Sequence, residues 1–498
     1  MGLRRLLVPV IALLVVTGLV LGLVSGVLGS IAHRGLEAAG LGAPGAAGTV
    51  PPGALDPSAS TPRGRTSAST TTPSTSPSTS PSTGSAASVP LPAPVLAATE
   101  GRGAESAAAV AARVRGVKVK DSGGYSGEVR DLRTGAVVFS HRADDGAIPA
   151  STTKLVTAAA ALDLLGPEHR FTTSVVSPAR GRVVLVGGGD PYLEEKSSQA
   201  DPDRASLRTL AARTATALKA DGVRKVSLTY DTSLFSGPAR NPTWPGTYSD
   251  VASSVSALSV NEGRTIPGGG ILGPRESDPA KDAAQAFAGQ LKKQGIEVGG
   301  VGKGNATRGA KPLAGVSSMT LERIVEHVLM TSDNDGAEVL LRQAAVAAHR
   351  PGTFADGAAV VVARLKALGV WQPEVRLVDG SGLSRSTRIP ASTLTQLLRV
   401  AGEGAHPQLR PLLTGLSVAG VEGSLAVKFG DDESLAGRGV VRGKTGTLTK
   451  VHGLAGIITT RDGAVLAYAF LVNNPKNDYN ATVWLQRVTA AISTCGCR

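Results

Sequence analysis

Cysteine is almost absent from this chain of 498 residues, and the two cysteines that it has, Cys495 and Cys497, lie at its end. The body of the protein therefore contains no thiol, which excludes a disulfide framework and fits an oxidising compartment. Two cysteines alone do not form a zinc site. Aromatic residues make up only 3% of the chain, so the core must consist mainly of Ala, Val, Leu and Ile.

Acidic side chains are fewer than basic ones, and the chain has a formal net charge of +13. The lysines and arginines are scattered rather than clustered, and few aromatic residues accompany them. This pattern argues against a nucleic-acid-binding surface, which combines a dense basic patch with stacking aromatics. Two interpretations stay open: a solvated basic surface, or contact with anionic polymers of a cell envelope.

Several well-known catalytic motifs are missing. The sequence has no G-x-S-x-G and no H-E-x-x-H, and its 7 histidines show no paired spacing. A phosphate loop of the form G-x-x-x-x-G-K-[ST] fails at Lys444, because position 438 is Arg and the segment continues as a strand instead of a helix. We therefore expect no metal ion and no other cofactor.

A run without any charged residue extends from Leu6 to Ala32 and follows Arg4 and Arg5. About 20 apolar residues suffice to span a membrane, and the preceding arginines favour export of the rest of the chain. We predict a signal-anchor or transmembrane helix over residues 1–33, which places the protein on the exported side of the bacterial cytoplasmic membrane. A cleaved signal peptide is the alternative, although "VLGSIA" is a weak cleavage site.

The composition changes after this run. Residues 41–97 hold no Phe, Tyr or Trp, and they contain the tetrad PSTS twice in tandem. Such a segment cannot bury enough apolar surface to offset the conformational entropy that folding removes. We predict a disordered stalk over residues 34–104 that holds a folded body away from the membrane.

The folded body alternates between strand-like and helix-like segments. "YSGEVRDLRTGAVVF" predicts two strands around a turn, and "ASTTKLVTAAAALDLLG" predicts an apolar helix. Near the end, "GRGVVRGKTGTLTKVHGLAGIITT" and "AVLAYAFLVNN" predict consecutive strands, and "YNATVWLQRVTAAIS" predicts a closing helix. The fold class is therefore α/β, with an antiparallel sheet covered by helices.

A serine and a lysine lie one turn apart at the start of the apolar helix. Ser151 and Lys154 are three positions apart, so they share a helix face. Burial lowers the pKa of a lysine, and a neutral amine is a competent general base. Lys154 can then take the proton of Ser151 and make it a nucleophile. The alternative is a capping serine followed by a lysine that reaches the surface.

Two further motifs follow. "TSDNDG" contains Ser332-Asp333-Asn334 in a break between two predicted helices, and "VVRGKTGTL" contains Lys444-Thr445-Gly446 on a predicted strand. Each alone fits an ordinary polar turn or a strand with a glycine bulge. Together, and in this order, S-x-x-K at a helix start, S-D-N between helices and K-T-G on a strand form a specific triple.

This triple resembles the motifs of penicillin-recognising serine enzymes, which are the penicillin-binding proteins and the serine β-lactamases. About 180 residues separate Lys154 from Ser332, a longer spacing than in small β-lactamases. The spacing and the stretches "DLRTGAVVF", "LVGGGDPYL", "SALSVNEG" and "VDGSGLSR" resemble one family in particular. It is the D-alanyl-D-alanine carboxypeptidase/endopeptidase family, also called type-4 or class C low-molecular-mass penicillin-binding proteins.

The resemblance implies a transpeptidase fold of the penicillin-binding-protein and serine β-lactamase type, with a β-rich insertion that splits the catalytic domain. We accordingly expect the first catalytic part over residues 105–170 and the insertion over residues 171–311. The second catalytic part would cover residues 312–492, and a short tail would cover residues 493–498.

The resemblance also implies catalytic roles. Ser151 would attack the carbonyl of a D-Ala-D-Ala peptide bond, and Lys154 would accept its proton. Ser332 would relay a proton to the leaving amine with assistance from Lys444.

Substrate binding is implied for a second set of residues. Asn334 would hold the substrate amide, and Thr445, Gly446 and Thr447 would bind the terminal carboxylate and the extended peptide. Backbone amides of Ser151 and Thr447 would form the oxyanion hole. A loop would shape the cleft, unless it is only a tight glycine-rich turn; its polar residues are Asp379, Ser381 and Ser384.

The expected activity is therefore a serine-type D-Ala-D-Ala carboxypeptidase that trims peptidoglycan stem peptides through an acyl-enzyme and is inhibited by penicillin. Whether it also acts as an endopeptidase stays open. A serine β-lactamase, which differs in fast deacylation, and a non-catalytic wall-binding scaffold are the alternatives. The expected partners are stem peptides, β-lactam antibiotics and the cytoplasmic membrane, and no nucleic acid.

Overall fold

The computed structural model describes residues 106–198, 201–266 and 273–496. The predicted signal anchor and stalk lie outside these ranges. Within them, no helix combines the length and the apolar character that crossing a membrane requires.

Strands and helices alternate along the described residues. The strands are β1 Tyr125–Asp131, β2 Val137–His141, β3 Thr172–Ala179, β4 Arg182–Val186, β5 Lys225–Asp231, β6 Glu297–Lys303, β7 Lys311–Ser317, β8 Ser417–Val418, β9 Val441–Leu448, β10 Val451–Thr459 and β11 Val465–Asn473. The helices are α1 Ala107–Gly116, α2 Thr153–Leu165, α3 Leu207–Ala220, α4 Pro279–Lys293, α5 Leu321–Thr331, α6 Asn334–Ala347, α7 Phe354–Ala367, α8 Ala391–Gly402, α9 Pro411–Thr414 and α10 Asp478–Ser493.

The first sheet has the strand order β2-β1-β11-β10-β9-β8, and all its neighbours are antiparallel. Side chains alternate between its two faces. On β11, Tyr468 and Phe470 pack in a core with α1 and α10, whereas Ala467 and Ala469 pack in a core with α2 and α5 to α8. The sheet therefore lies between two helical layers, which confirms the predicted antiparallel sheet covered by helices.

Helix α2 explains the apolar run that follows Ser151. Its residues Thr153 to Leu162 are all buried, so the helix is surrounded on every side rather than packed by one stripe. It lies at the centre of the helical core, against α6 and α7. Lys154 is thus carried into the interior by the helix itself.

The second sheet has the order β6-β5-β4-β3-β7. Strand β3 is antiparallel to β4 and β7, whereas β4, β5 and β6 are parallel neighbours. Parallel neighbours require crossover connections, and α3 and α4 supply them and pack in the same core. The inserted region is thus a mixed α/β unit rather than only β-rich, and its last strand runs to Ser317, past the expected boundary at 311.

One part of the inserted region leaves the second sheet. We call residues 239–256 the bridging segment. Its Trp244, Ala252 and Val255 pack in the helical core of the first sheet and not in the core of the second sheet. The bridging segment lies between the S-x-x-K and S-D-N motifs in sequence, and it packs in the same core as the helices α2 and α6 on which these motifs lie.

Candidate active site

A tight turn presents Ser151 at the start of α2. Residues Ala150–Thr152 form one turn of 3-10 helix before α2 begins. Ala150 is buried and has φ +47°, a left-handed conformation that costs a non-glycine residue roughly 1–2 kcal/mol. The N-cap of α2 is Thr152, and no side chain caps it. Ser151 is therefore not the capping serine of the alternative interpretation.

Two glycines allow other parts of the chain to pack closely against this turn. A Cβ on Gly446 would lie 2.5 Å from the carbonyl oxygen of Pro149, and a Cβ on Gly382 would overlap the carbonyl oxygen of Ala150. Strand β9 and the loop around Gly382 can therefore approach the serine turn this closely only because neither has a side chain there.

Lys154 is fully buried and lies at the centre of the site. Its Nζ lies 2.8 Å from Ser151 Oγ and 2.8 Å from Asn334 Oδ1. It also donates to the carbonyl oxygen of Ser381 at 3.0 Å. The lysine thus does not reach the surface, and it joins three separate parts of the chain.

Burial lowers the pKa of Lys154 to about 8. The charges of Asp333, Glu338, Asp379 and Asp335 act in the opposite direction. At pH 7 the neutral form is then reached at a cost of about 1.4 kcal/mol, the value of one pH unit. Lys154 can therefore serve as the base for Ser151 near neutral pH.

The turn between α5 and α6 carries the second motif. Ser332 ends α5 in a left-handed conformation with φ +61°, and Asp333 caps α6 by accepting from the amides of Asp335 and Gly336. Asn334 is the first residue of α6, and its Nδ2 donates to the carbonyl oxygen of Val251 at 2.8 Å. The bridging segment thus orients the amide that faces Lys154.

Lys444 lies on β9 and is also fully buried. Its Nζ lies 2.8 Å from Ser332 Oγ and donates to the carbonyl oxygen of Thr445 at 3.0 Å. Burial, and then the positive charge of Lys154, hold the pKa of Lys444 well below its ordinary value. Each lysine therefore contacts one serine hydroxyl, Lys154 that of Ser151 and Lys444 that of Ser332.

The outer edge of β9 is open beside these groups. In the described part of the chain, β8 pairs only with Arg442 and Gly443 of β9, so the stretch after Lys444 has β10 on one side alone. Thr445 Oγ1 donates to Ser424 Oγ at 3.0 Å, and Thr447 is exposed. An open strand edge can bind an extended peptide as an additional strand.

The loop with Asp379, Ser381 and Ser384 lies beside Lys154 in the interior. All three residues are fully buried, and Asp379 accepts from Trp244 Nε1 at 3.0 Å and from the Ser384 amide at 2.6 Å. Ser384 Oγ accepts from Thr243 Oγ1. The loop is therefore held by the bridging segment, and it touches the centre through the carbonyl of Ser381.

Some functional contacts were not predicted from the sequence. The bridging segment is one, because a backbone carbonyl such as that of Val251 leaves no trace in side-chain patterns. Glu338 is another; it is a fully buried acid on α6, four residues after Asn334, and its position inside the apolar stretch "GAEVLL" was a usable signal. Ser424, the partner of Thr445, lies in the stretch "AGVEGSL", for which no role was predicted.

Three carboxylates near the site have the proximity that a metal ion requires. Oxygens of Glu262, Asp333 and Asp335 lie within 4.8 Å of one another. However, Arg264 pairs with Glu262 at 2.7 Å, Arg275 pairs with Asp335 at 3.1 Å, and Asp333 accepts two amides. A cation would have to displace these partners, so the group is better described as an arginine-neutralised cluster.

Comparisons with known proteins agree with this geometry. Residues 110–268 and 272–491 match the model of the D-Ala-D-Ala carboxypeptidase 3 (S13) family. The chain is 35% identical over 388 residues to carboxypeptidase Rv3627c of Mycobacterium tuberculosis, an alignment that covers 76% of this chain and 82% of that protein. It is 34% identical over 386 residues to carboxypeptidase DacB of Mycolicibacterium smegmatis, with 76% and 82% covered.

A solved structure has the same fold. Penicillin binding protein 4 (dacB) from Haemophilus influenzae matches with a TM-score of 0.63 and 21% identity, and the match covers 76% of this chain and 97% of that one.

Proposed function

The chain belongs to the D-Ala-D-Ala carboxypeptidase 3 (S13) family, and we propose that Ser151 is the nucleophile with which it trims peptidoglycan stem peptides. The membership makes the chain a serine-type D-Ala-D-Ala carboxypeptidase, as predicted from its motifs. The observation that carries the assignment of Ser151 is its 2.8 Å contact with the buried Nζ of Lys154.

Acylation follows from this contact. Neutral Lys154 accepts the proton of Ser151, and Oγ forms a bond to the carbonyl carbon of the D-Ala-D-Ala peptide bond. The C–N bond to the terminal D-Ala breaks, and its amine takes a proton from Ser332. Backbone amides of Ser151 and Thr447 stabilise the oxyanion, a contribution of about 3–4 kcal/mol per donor.

The proton that Ser332 gives away is replaced from Lys444, 2.8 Å away. Burial lowers the pKa of Lys444. A terminal carboxylate bound beside Lys444 and Thr445 favours the ammonium form and raises that pKa again. Binding of the substrate therefore favours the protonated form of Lys444 that the relay requires.

Substrate is held in the cleft beside Ser151. The extended stem peptide lies along the open edge of β9 beside Thr445 and Thr447, and Gly446 lets β9 lie close to the serine turn. Asn334 contacts the substrate amide from the opposite side. Lys154 first releases to solvent the proton that it took from Ser151. Water then attacks the acyl carbon while neutral Lys154 accepts a proton from it, the C–O bond to Ser151 breaks, and Lys154 returns that proton to Ser151 Oγ. The shortened peptide leaves as a carboxylate after its acidic proton passes to solvent.

Penicillin acylates the same serine in this proposal. Opening of its four-membered ring leaves the departing nitrogen attached to the adduct, where it blocks the path that water would take. The adduct therefore persists, and penicillin inhibits the enzyme instead of being destroyed.

The test measures two quantities on residues 105–498. Release of D-Ala from a pentapeptide is followed, and the lifetime of the adduct formed with one equivalent of penicillin is followed by intact mass, with Ser151→Ala as control. D-Ala release together with an adduct that lasts minutes supports the proposal. Rapid turnover of penicillin without D-Ala release indicates a β-lactamase. If neither D-Ala nor an adduct forms, the non-catalytic wall-binding scaffold is the remaining interpretation. A cross-linked muropeptide in the same assay decides whether endopeptidase activity is present.

For localisation we propose that the enzyme is exported and tethered to the cytoplasmic membrane by its N-terminal segment. The support is the charge-free run from Leu6 to Ala32 behind two arginines. Mass spectrometry of the N-terminus of membrane-extracted protein tests this. A mature N-terminus between Gly29 and Leu36 would contradict a retained anchor.

A further inference from the structure

A buried carboxylate lies behind the catalytic lysine without touching it. Glu338 is on α6, one turn after Asn334, and its side chain is 0% exposed. Its Oε2 accepts from the amide of Gly380 at 3.0 Å, and its Oε1 accepts from the amide of Ser381 at 2.7 Å. Both oxygens are thus directed at one short piece of loop.

That piece of loop is the one that contacts Lys154. The carbonyl oxygen of Ser381, the residue whose amide Glu338 binds, accepts from Lys154 Nζ at 3.0 Å. On the other side, Thr157 of α2 donates to the carbonyl oxygen of Gly380 at 2.8 Å. The loop therefore bridges α6 and α2 at the level of the lysine.

A carboxylate is well suited to hold the backbone amides of Gly380 and Ser381. Gly380 has no side chain, and a Cβ there would lie 2.6 Å from the carbonyl oxygen of Ala337, so the position must be held through its backbone. Two parallel N–H groups need two acceptors, and a carboxylate provides both, whereas an amide side chain provides one oxygen and one competing NH₂ group.

We propose that Glu338 is a positioning residue, which holds the 380–381 loop so that the carbonyl of Ser381 aims the Nζ of Lys154 at Ser151. The inference rests on the proposed role of Lys154 as the base. Misplacement of a reacting group by about 1 Å lowers rates by about 10²-fold. A displaced Nζ of Lys154 should therefore slow acylation without weakening the noncovalent binding of the β-lactam.

Glu338→Gln tests this, because it keeps the volume of the side chain and removes one acceptor and the ionisable group. The matched control is Gln343→Met on the same helix. Gln343 is also buried, and its Nε2 donates to the carbonyl oxygens of Gly188 and Gly189, away from Lys154. Both variants lose buried hydrogen bonds of α6, but only Glu338→Gln loses the bonds to the loop that contacts Lys154.

The measurements are the rate constant of penicillin acylation from pH 6 to pH 10, the apparent dissociation constant before acylation, and the unfolding temperature. For Glu338→Gln we expect acylation to be about 10- to 100-fold slower at an unchanged dissociation constant. The half-maximal pH should also fall, since the ammonium form of Lys154 loses its carbonyl acceptor. Burial raises the pKa of Glu338 itself to about 8, so the loss of its negative charge adds to this fall only in the upper part of the pH range. The other charged groups around the lysine stay as they are: Asp333, Asp335, Asp379 and Lys444.

Gln343→Met should lower the unfolding temperature and leave the half-maximal pH in place. An unchanged acylation profile in Glu338→Gln, or a change that the control reproduces, overturns the inference. If Glu338→Gln does not fold, Glu338→Asp is measured against the same criteria, because it keeps both acceptors but withdraws them from the amides. Failure of the wild-type enzyme to form an adduct at Ser151 would instead contradict the proposed function, which keeps the two failures apart.

Discussion

The side-chain oxygen of Asn334 lies 2.8 Å from Nζ of Lys154, although 180 positions separate the two residues in the chain. The second motif thus completes the surroundings of the base that the first motif provides. The other side of the same Asn334 amide donates to Val251, which the inserted region supplies. The Asn334 amide therefore links the inserted region directly to the catalytic lysine.

The two buried lysines should not be equivalent. Lys154→Met keeps an unbranched side chain of similar length but removes the base, and general-base contributions are about 10²- to 10⁴-fold. We expect acylation by a fluorescent penicillin to fall by that factor. Lys444→Met should retain slow labelling but lose D-Ala release more strongly, because Lys444 supports the carboxylate and the relay. Equal labelling of Lys154→Met and wild type would refute the assignment of the base.

Acylation should depend on pH through Lys154. Burial lowers the pKa of this ammonium to about 8, and only the neutral amine accepts a proton. The rate should therefore rise as the pH increases through about 8 and fall roughly tenfold per pH unit well below it. Stopped-flow measurement of penicillin acylation from pH 6 to pH 10 gives the profile. A rate that stays constant from pH 6 to pH 9 would exclude a titrating lysine as the base.

Gly446 should be required for close packing and not only for flexibility. In Gly446→Ala the new methyl group would lie 2.5 Å from the carbonyl oxygen of Pro149, so β9 must move away from the serine turn. We expect acylation to fall about 10- to 100-fold, in line with a displacement of about 1 Å. Gly300→Ala on β6 is the control, since no atom lies within 4 Å of its added Cβ. Similar activities of the two variants would contradict this explanation.

Local patterns in the sequence predicted the residues of the candidate active site but not the groups that hold them in position. The spacing of Ser151 and Lys154 follows from helix geometry, and the polar break at Ser332 from the ends of two apolar helices. The carbonyl of Val251 has no such pattern, because every residue has a carbonyl and only the fold decides which one faces Asn334. Glu338 was visible as a charge inside an apolar helix, but its partners Gly380 and Ser381 lie more than 40 positions away.

The inserted region shows the same limit. Its strands were partly visible, and α3 was not predicted although its buried residues recur at helical spacing, as Leu207, Leu210 and Thr214 do. Strand β7 lies beyond the expected boundary, because pairing with β3 and not the local sequence decides where the sheet ends. Long-range pairing of this kind cannot be derived from periodicity alone.

The last prediction concerns Trp244, through which the bridging segment holds the loop of residues 379–384. Its Nε1 donates to Asp379 Oδ2 at 3.0 Å, and Asp379 also accepts from Ser384 and Thr387. Burial raises the pKa of Asp379, while these donors act against that rise. Trp244→Phe keeps an aromatic ring and removes one of the donors, which leaves a buried acid less well satisfied at a cost of about 1–3 kcal/mol.

Trp371→Phe is the matched control, because its indole nitrogen is buried and has no hydrogen-bond partner among the described residues. Both variants lose the same ring atoms, so the difference between their free energies of unfolding in a urea titration reports the lost hydrogen bond. We expect Trp244→Phe to be less stable than Trp371→Phe by about 1–3 kcal/mol and to be acylated about 3- to 10-fold more slowly, since a looser 379–384 loop holds Ser381 and thus Lys154 less firmly. Equal stability of the two variants would show that the indole of Trp244 only fills space. An unchanged acylation rate in Trp244→Phe would show that its hydrogen bond to the 379–384 loop does not help to position Lys154.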